Sequence, residues 1–386
     1  MNVLSLFDGM SCGQQALERT GIKVNQYFAS EIDKYAIQVT MANYPNTIQL
    51  GSVVDVDGYS LPKIDIIMGG SPCQSFSFAG KRKGMSTKDE QEILTLDHYL
   101  RLKSEGYEFE GQSYLFWEYM RLLNEVKPTY FLLENVMMGE KWEKVLSKAI
   151  GVNAIEINSS LVSAQNRRRL YWTNIGMEAA GFFGDLESII EQPKDREILL
   201  RDVLESEVDD KYFLSENSFI FDRIKNNHPF IPRIPTKDEK SNCIKIGGSG
   251  VDDLIVHNTM PRSGNPKKGG TGPLSRTDGK TYCLDTGNTN AVEVIPMDFR
   301  YDEGFRPRQN GKSPTLTITN DSNSFSGKPL AQINSRIRRL TPIECERLQT
   351  VKDNYTNHVS DSQRYKMLGN GWTVEVITHI LKYIKQ

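Results

Sequence analysis

Short runs of apolar and β-branched residues recur through the first part of the chain, at 2–6, 27–30, 47–50, 64–68 and 128–133, and all but the first, which runs through Phe7 into Asp8, close directly on glycine or an acid. Runs of that length and content predict buried strands. Between them, 14–19 is helix-like and 113–123 carries apolar residues at amphipathic helical spacing. Strand and helix alternate, which predicts an α/β fold with a mostly parallel sheet. A polar stretch at 87–112 interrupts the alternation and has no readable role. From about Gly176 the rhythm stops, and the chain becomes rich in Gly, Asn, Ser, Thr and Lys, with short possible strands at 253–256 and 315–318. Regular structure returns at 338–349, where Thr341 caps and Pro342 opens a helix, and again in an amphipathic helix after 365–374.

At 386 residues the chain suits a large domain with a second, smaller one. Its 38% hydrophobic and 25% charged content is that of a soluble globular protein. No apolar run approaches membrane-spanning length and no basic leader precedes the first strand, so the expectation is a cytoplasmic protein that does not engage membrane. Five scattered cysteines, at 12, 73, 243, 283 and 345, form no Cys-x-x-Cys pair. They speak against a disulfide framework and against a structural zinc, and no metal is expected. The net charge of −2 taken alone argues against a nucleic-acid partner. The average hides an asymmetry: residues 223–339 hold 19 Lys/Arg against 11 Asp/Glu, leaving 28 against 38 elsewhere. A polyanion would bind the basic segment.

The chemistry gathers where strands end. After Ile64-Asp65-Ile66-Ile67-Met68 comes Gly69-Gly70-Ser71-Pro72-Cys73-Gln74-Ser75-Phe76-Ser77, a tight loop with one cysteine at its tip. Gly70 lets a ligand approach the backbone and Pro72 stiffens the turn, so Cys73 is presented as a nucleophile. The first strand runs into Phe7-Asp8-Gly9-Met10-Ser11-Cys12-Gly13 and a helix start, a nucleotide-binding turn that lacks the Gly-x-Gly-x-x-Gly spacing of a pyrophosphate site. Glu31 follows the second strand, where a carboxylate can accept from both ribose hydroxyls, and Ile32 would face the adenine. Ala79-Gly80-Lys81-Arg82-Lys83-Gly84 is basic and bounded by glycines, suited to closing over a phosphate backbone. Glu134 ends a central strand, and in 163–172 Arg167 and Arg169 would share one face of an extended segment.

Gly-Ser-Pro-Cys-Gln-Ser-Phe-Ser resembles the catalytic loop of the cytosine-C5 DNA methyltransferases, and five further matches stand in the family order. They are the Phe-Asp-Gly turn, in the form of the animal de novo enzymes, Glu134-Asn135-Val136, Gln165-Asn166-Arg167-Arg168-Arg169, and the two closing blocks around 338–349 and 365–374. The resemblance implies a Rossmann-like S-adenosylmethionine-dependent fold at 1–178, an irregular β-rich target-recognition lobe at 179–334, and a segment 335–386 that returns to the catalytic domain. It implies Cys73, Glu134, Arg167 and Arg169 as catalytic. It implies Phe7, Asp8, Gly9, Ser11, Gly13, Glu31, Ile32, Ser52, Val53, Gly70, Pro72, Leu115, Asn370 and Gly371 as the cofactor site. Two positions depart from the family: Ser52 replaces the usual adenine-binding aspartate, with Asp55 a candidate substitute, and Gly371 stands where serine or alanine is common. The implied partner is double-stranded DNA, for a monomer whose cognate restriction endonuclease, if it has one, is separately encoded. A cytosine-C5 RNA methyltransferase and a catalytically silent DNA-binding module on the same scaffold are the alternatives.

Overall fold

A computed structural model describes residues 1–72, 85–89, 91–180, 185–213, 254–258, 274–276, 280–281, 283, 290–294, 297–300, 304–307 and 337–385. The chain divides into two compact units, one of Met1–Ile198, Cys283–Gly287 and Pro342–Gln386, the other of Leu199–Tyr282 and Asn288–Thr341.

The first unit is built on strands β1 (Asn2–Leu6), β2 (Gln26–Ser30), β3 (Ile48–Gln49), β4 (Ile66–Gly70), β5 (Tyr130–Val136), β6 (Ile155–Asn158) and β7 (Arg168–Thr173), in the order β3-β2-β1-β4-β5-β7-β6. Pairings from β3 through β5 are parallel, and β7 runs antiparallel to both β5 and β6. Val3, Leu4, Ile66, Ile67, Leu132 and Leu133 are fully buried, as expected where both faces of a parallel sheet are covered. The sheet reverses its order between β1 and β4. An open α/β sheet binds ligands beyond its strand ends at such a point.

Helices α1 (Cys12–Thr20), α2 (Lys34–Asn43), α3 (Leu96–Ser104), α4 (Phe116–Val126) and α5 (Glu140–Ile150) complete the N-terminal part of this unit. The α4 helix buries Phe116, Trp117, Tyr119, Met120 and Leu122. It stops at Lys127, which takes a left-handed φ of 43° just before Pro128, a residue that cannot continue the helix. Three more helices close the chain: α6 (Pro342–Leu348), α7 (Asp361–Asn370) and α8 (Val374–Leu381). They return to the first strands. Arg19 on α1 meets Glu375 on α8 at 2.6 Å, and the Tyr355 hydroxyl donates to Met10 O at 2.7 Å. The hairpin β8 (Met177–Ala180) and β9 (Asp185–Ser188) also belongs to this unit, and Arg196 beyond it bonds Glu375 at 2.6 Å.

In the second unit β10 (Leu254–Asn258), β11 (Leu274–Arg276), β12 (Asn290–Val294) and β15 (Ile337–Arg339) form an antiparallel sheet ordered β11-β10-β12-β15, and β13 (Met297–Arg300) pairs with β14 (Gly304–Pro307). The expected strand at 253–256 corresponds to β10, whereas the one at 315–318 lies outside the described residues. Among the described residues no helix is long and apolar enough to cross a membrane.

Candidate active site

The turn after β1 holds three residues in the left-handed region, Phe7 (φ 56°), Gly9 (φ 59°) and Ser11 (φ 58°). Two of them are not glycine, and the neighbours fix that strained conformation. Asp8 accepts from the hydroxyls of Ser11 and of Tyr27, the latter at 2.7 Å, and the Tyr355 bond to Met10 ties the turn to the C-terminal segment. Burial lifts the Asp8 carboxyl from 3.8 to about 6, against the pull of its hydroxyl partners. Burial also pushes the thiol of Cys12, behind the turn, up to about 12, so this cysteine is inert.

Glu31, next after β2, accepts from Gly9 N at 2.8 Å through Oε2 and from Ile32 N and Asp33 N at 2.7 and 2.8 Å through Oε1. Its carboxylate therefore sits directly against the glycine turn. Ile32 is 71% exposed beside it, an apolar side chain in water at the strand ends. Ser52 accepts weakly from Val54 N at 3.4 Å, Val53 is buried, and Asp55 points to solvent. Leu115 packs against the core from a 3₁₀ turn, and Asn370 is exposed at the end of α7.

Gly70 ends β4 and pairs in register with Glu134 of β5. Ser71 is buried and accepts from the Asn135 side chain at 3.0 Å, which anchors the chain just before Pro72. Cys73 and the basic loop at 79–84 lie outside the described residues. Glu134 is 9% exposed; its Oε1 bonds Arg169 Nε at 2.9 Å and its Oε2 accepts from Trp372 Nε1 at 3.2 Å. The antiparallel β7 explains how an arginine at the start of a strand reaches the edge where other strands end, since Arg169 pairs in register with Val136.

Alternation along 167–169 separates the three arginines as the sequence suggests. Arg168 turns outward to Glu156, at 2.8 Å for its second contact, while Arg167 and Arg169 both reach the Cys283 sulfur, at 3.0 and 3.6 Å. Burial alone would raise the Cys283 thiol, but the two guanidinium groups outweigh it and hold the thiol below its ordinary value. Burial likewise opposes the charge of Arg169, and Cys283 and Glu134 more than restore it. Arg167 is 3% exposed and donates to the carbonyls of Gly369 and Gly371 at 3.2 and 2.9 Å, so it holds the closing segment. A Cβ at Gly371 would stand 2.8 Å from Met10 Cε and 3.0 Å from Met367 O, which accounts for glycine at this position.

Cys283, Asn135 and Trp372 are the participants that sequence reasoning missed. Asn135 and Trp372 lay within matched blocks without being singled out, and nothing in the pattern pointed to Cys283. Among the described residues no cluster of His, Cys, Asp and Glu could hold a metal ion.

Compared with known proteins, residues 1–386 match the family model described as C-5 cytosine-specific DNA methylase. The chain is similar to the orphan methyltransferase M.SPRI of Bacillus phage SPR, 28% identical over 99% of this chain and 97% of that protein. It is also similar to the type II methyltransferase M1.ScrFI of Lactococcus lactis subsp. cremoris, 26% identical over 97% of this chain and 75% of that one. Among solved structures, the Entamoeba histolytica methyltransferase EhMeth superposes with a TM-score of 0.57 at 15% identity, covering 99% of this chain and 97% of that chain. DNMT2 of Spodoptera frugiperda does so with 0.55 at 19%, covering 99% and 98%. At such identities the structural likeness speaks for the fold.

Proposed function

The chain belongs to the C-5 cytosine-specific DNA methylase family, and on that premise we propose that it transfers a methyl group from S-adenosylmethionine to C5 of a cytosine flipped out of a specific duplex sequence, through a covalent bond between Cys73 and C6. The observation that carries this reading is the carboxylate of Glu134 at the sheet edge, held by Arg169 at 2.9 Å and in register with Gly70, three residues before Cys73.

The turn of Phe7, Gly9 and Ser11 supports a fit to S-adenosylmethionine, together with the Glu31 carboxylate against Gly9 and the exposed Ile32 that an adenine face would cover. Ser52 offers a hydroxyl where the family has a carboxylate. Bound there, the cofactor would supply an electrophilic methyl group on a sulfonium whose sulfur departs as a neutral thioether. Replacing Glu31 by alanine is expected to weaken cofactor binding by about 1–3 kcal/mol, the loss of charge-assisted hydrogen bonds. Calorimetry reads it, and an unchanged affinity removes Glu31 from the ribose role.

Cytosine C5 is a poor nucleophile until C6 is attacked. The Cys73 thiolate adds to C6, and the electrons of the C5–C6 bond become those of an enamine whose C5 takes the methyl group. Glu134, as a protonated acid, donates to N3 and accepts from the amino group, neutralising the charge that builds on N3 as sulfur adds, and Arg169 holds O2. Arg167 keeps the closing segment in place. A base then removes the C5 proton, the C5–C6 double bond re-forms, and the thiolate leaves. A stacked base exposes neither face, so the cytosine must leave the helix.

Bisulfite sequencing of DNA from cells expressing the parent or Cys73→Ala tests the reading. Protected cytosines at one recurring sequence are expected with the parent alone. Protection that survives Cys73→Ala would move the nucleophile elsewhere, and protection confined to RNA would exclude duplex DNA as substrate.

A further inference from the structure

Trp372 follows Gly369-Asn370-Gly371 and precedes α8, a place where a tryptophan would ordinarily serve as an apolar anchor. Its side chain does something more specific. The indole Nε1 donates to Glu134 Oε2 at 3.2 Å while Arg169 bonds Oε1 at 2.9 Å, so each carboxylate oxygen is held by a donor from a different segment of the chain.

The neighbouring glycine gives independent support. A Cβ on Gly70 would stand 2.9 Å from Trp372 Nε1 and 3.0 Å from Glu134 Oε2, wedged at the bond between them. The other end of the indole reaches the cofactor turn, 3.7 Å from where a Cβ on Gly13 would sit. The backbone that carries the indole is itself held, because Gly371 O accepts from Arg167 at 2.9 Å and from Gln349 Nε2 at 3.1 Å. Both inward-facing arginines thus act on Glu134: Arg169 directly, Arg167 through Gly371 and Trp372.

We propose that Trp372 is a positioning residue, whose indole N–H fixes the Glu134 carboxylate in the orientation from which it meets the cytosine ring. The inference rests on the role given to Glu134 above. A glutamate side chain has three torsions to immobilise, and a rigid donor on its second oxygen removes that cost before the base arrives. The donor belongs to a ring with two torsions of its own, clamped between Gly70 and the cofactor turn. Preorganisation of this kind acts on the chemical step rather than on the affinity for cofactor.

The test replaces Trp372 with β-(3-benzothienyl)alanine, which keeps the bicyclic shape and exchanges the N–H for sulfur, and separately with phenylalanine. Single-turnover methylation of the target duplex at saturating S-adenosylmethionine, cofactor affinity by calorimetry, and melting temperature are measured for each. The benzothienyl variant is expected to fold as the parent, bind cofactor within about twofold, and methylate about 10- to 100-fold more slowly, the effect of one lost hydrogen bond to a charged group. Repeated in a Glu134→Ala background, with product accumulated over hours, the substitution should cost no further rate, because the group it acts through is gone. An unchanged rate overturns the proposal. So does an equal loss in the Glu134→Ala background, or a loss confined to cofactor affinity, which would make Trp372 only a wall of that pocket. A parent that methylates no duplex DNA is a separate result, which overturns the proposed reaction and this inference with it.

Discussion

The carboxyl of Asp8 accepts hydroxyl donors from Ser11 and Tyr27 and still has its pKa raised, from 3.8 to about 6, because burial outweighs them. The folded state therefore binds a proton that the unfolded state has released between those two values, and its stability falls as pH rises through about 6. Asp8→Asn keeps one acceptor oxygen, offers an amide N–H that the other hydroxyl can accept, and removes the titration. Relative to the parent, the variant should gain on the order of 3 kcal/mol between about pH 3.5 and pH 7. Urea denaturation across that range reads the difference, and parallel curves would contradict it. At this scale the sequence made visible the residues that sit in matched blocks, such as Glu134 and Arg169. It hid Cys283, which lies 116 positions from Arg167 in a stretch without periodicity, and, although Trp372 sits in a matched block, it hid the bond from that indole to Glu134.

The polar insertion at 87–112 had no readable purpose because its partner lies on another element. Helix α3 within it buries Tyr99 and Leu102, and Thr95 caps it by accepting from His98 N. Glu118, fully buried on α4, accepts from the Tyr99 hydroxyl, from Lys103 at 2.6 Å and from Arg121 at 2.7 Å. One carboxylate straps the insertion to the helix, although the spacing of α4 reads as an ordinary apolar face. Removing it leaves Arg121 with Glu125 at 2.9 Å, but takes away the acceptor of the buried Tyr99 hydroxyl and of Lys103. Glu118→Ala should therefore destabilise the protein by about 1–3 kcal/mol, the cost of leaving a buried polar group without its partner. A loss under about 0.5 kcal/mol in denaturant melts, typical of an exposed position, would show that the strap carries no weight. The strands β1, β4 and β5 were legible for a simpler reason: covered on both faces, they are continuous apolar runs. Helix α3 was missed because Leu96, Tyr99, Leu100 and Leu102 are interleaved with charged residues in a polar stretch, and only Tyr99 and Leu102 are buried.

At the scale of the molecule, the loss of αβ alternation after Gly176 pointed to a second unit, but contacts set its limits. Residues up to Ile198 stay with the sheet, where Arg196 bonds Glu375, and Cys283–Gly287 belongs there too although the chain on either side does not. Exchanging 199–282 and 288–341 for the corresponding parts of a related enzyme, while keeping 283–287, is expected to change the methylated sequence and leave the reaction intact. An active chimera that kept the original site would place base readout elsewhere. The central claim concerns the bond between Cys73 and the base, and a fluorine at C5 of the target cytosine tests it most directly. Release of the enzyme requires loss of the C5 proton, and fluorine cannot leave as a cation. With S-adenosylmethionine, the parent should form a denaturant-resistant complex with 5-fluorocytosine duplex DNA that maps to the peptide containing Cys73 and is absent from Cys73→Ala. An enzyme that methylates the unmodified duplex yet leaves no covalent species on the fluorinated one would contradict addition of the thiol.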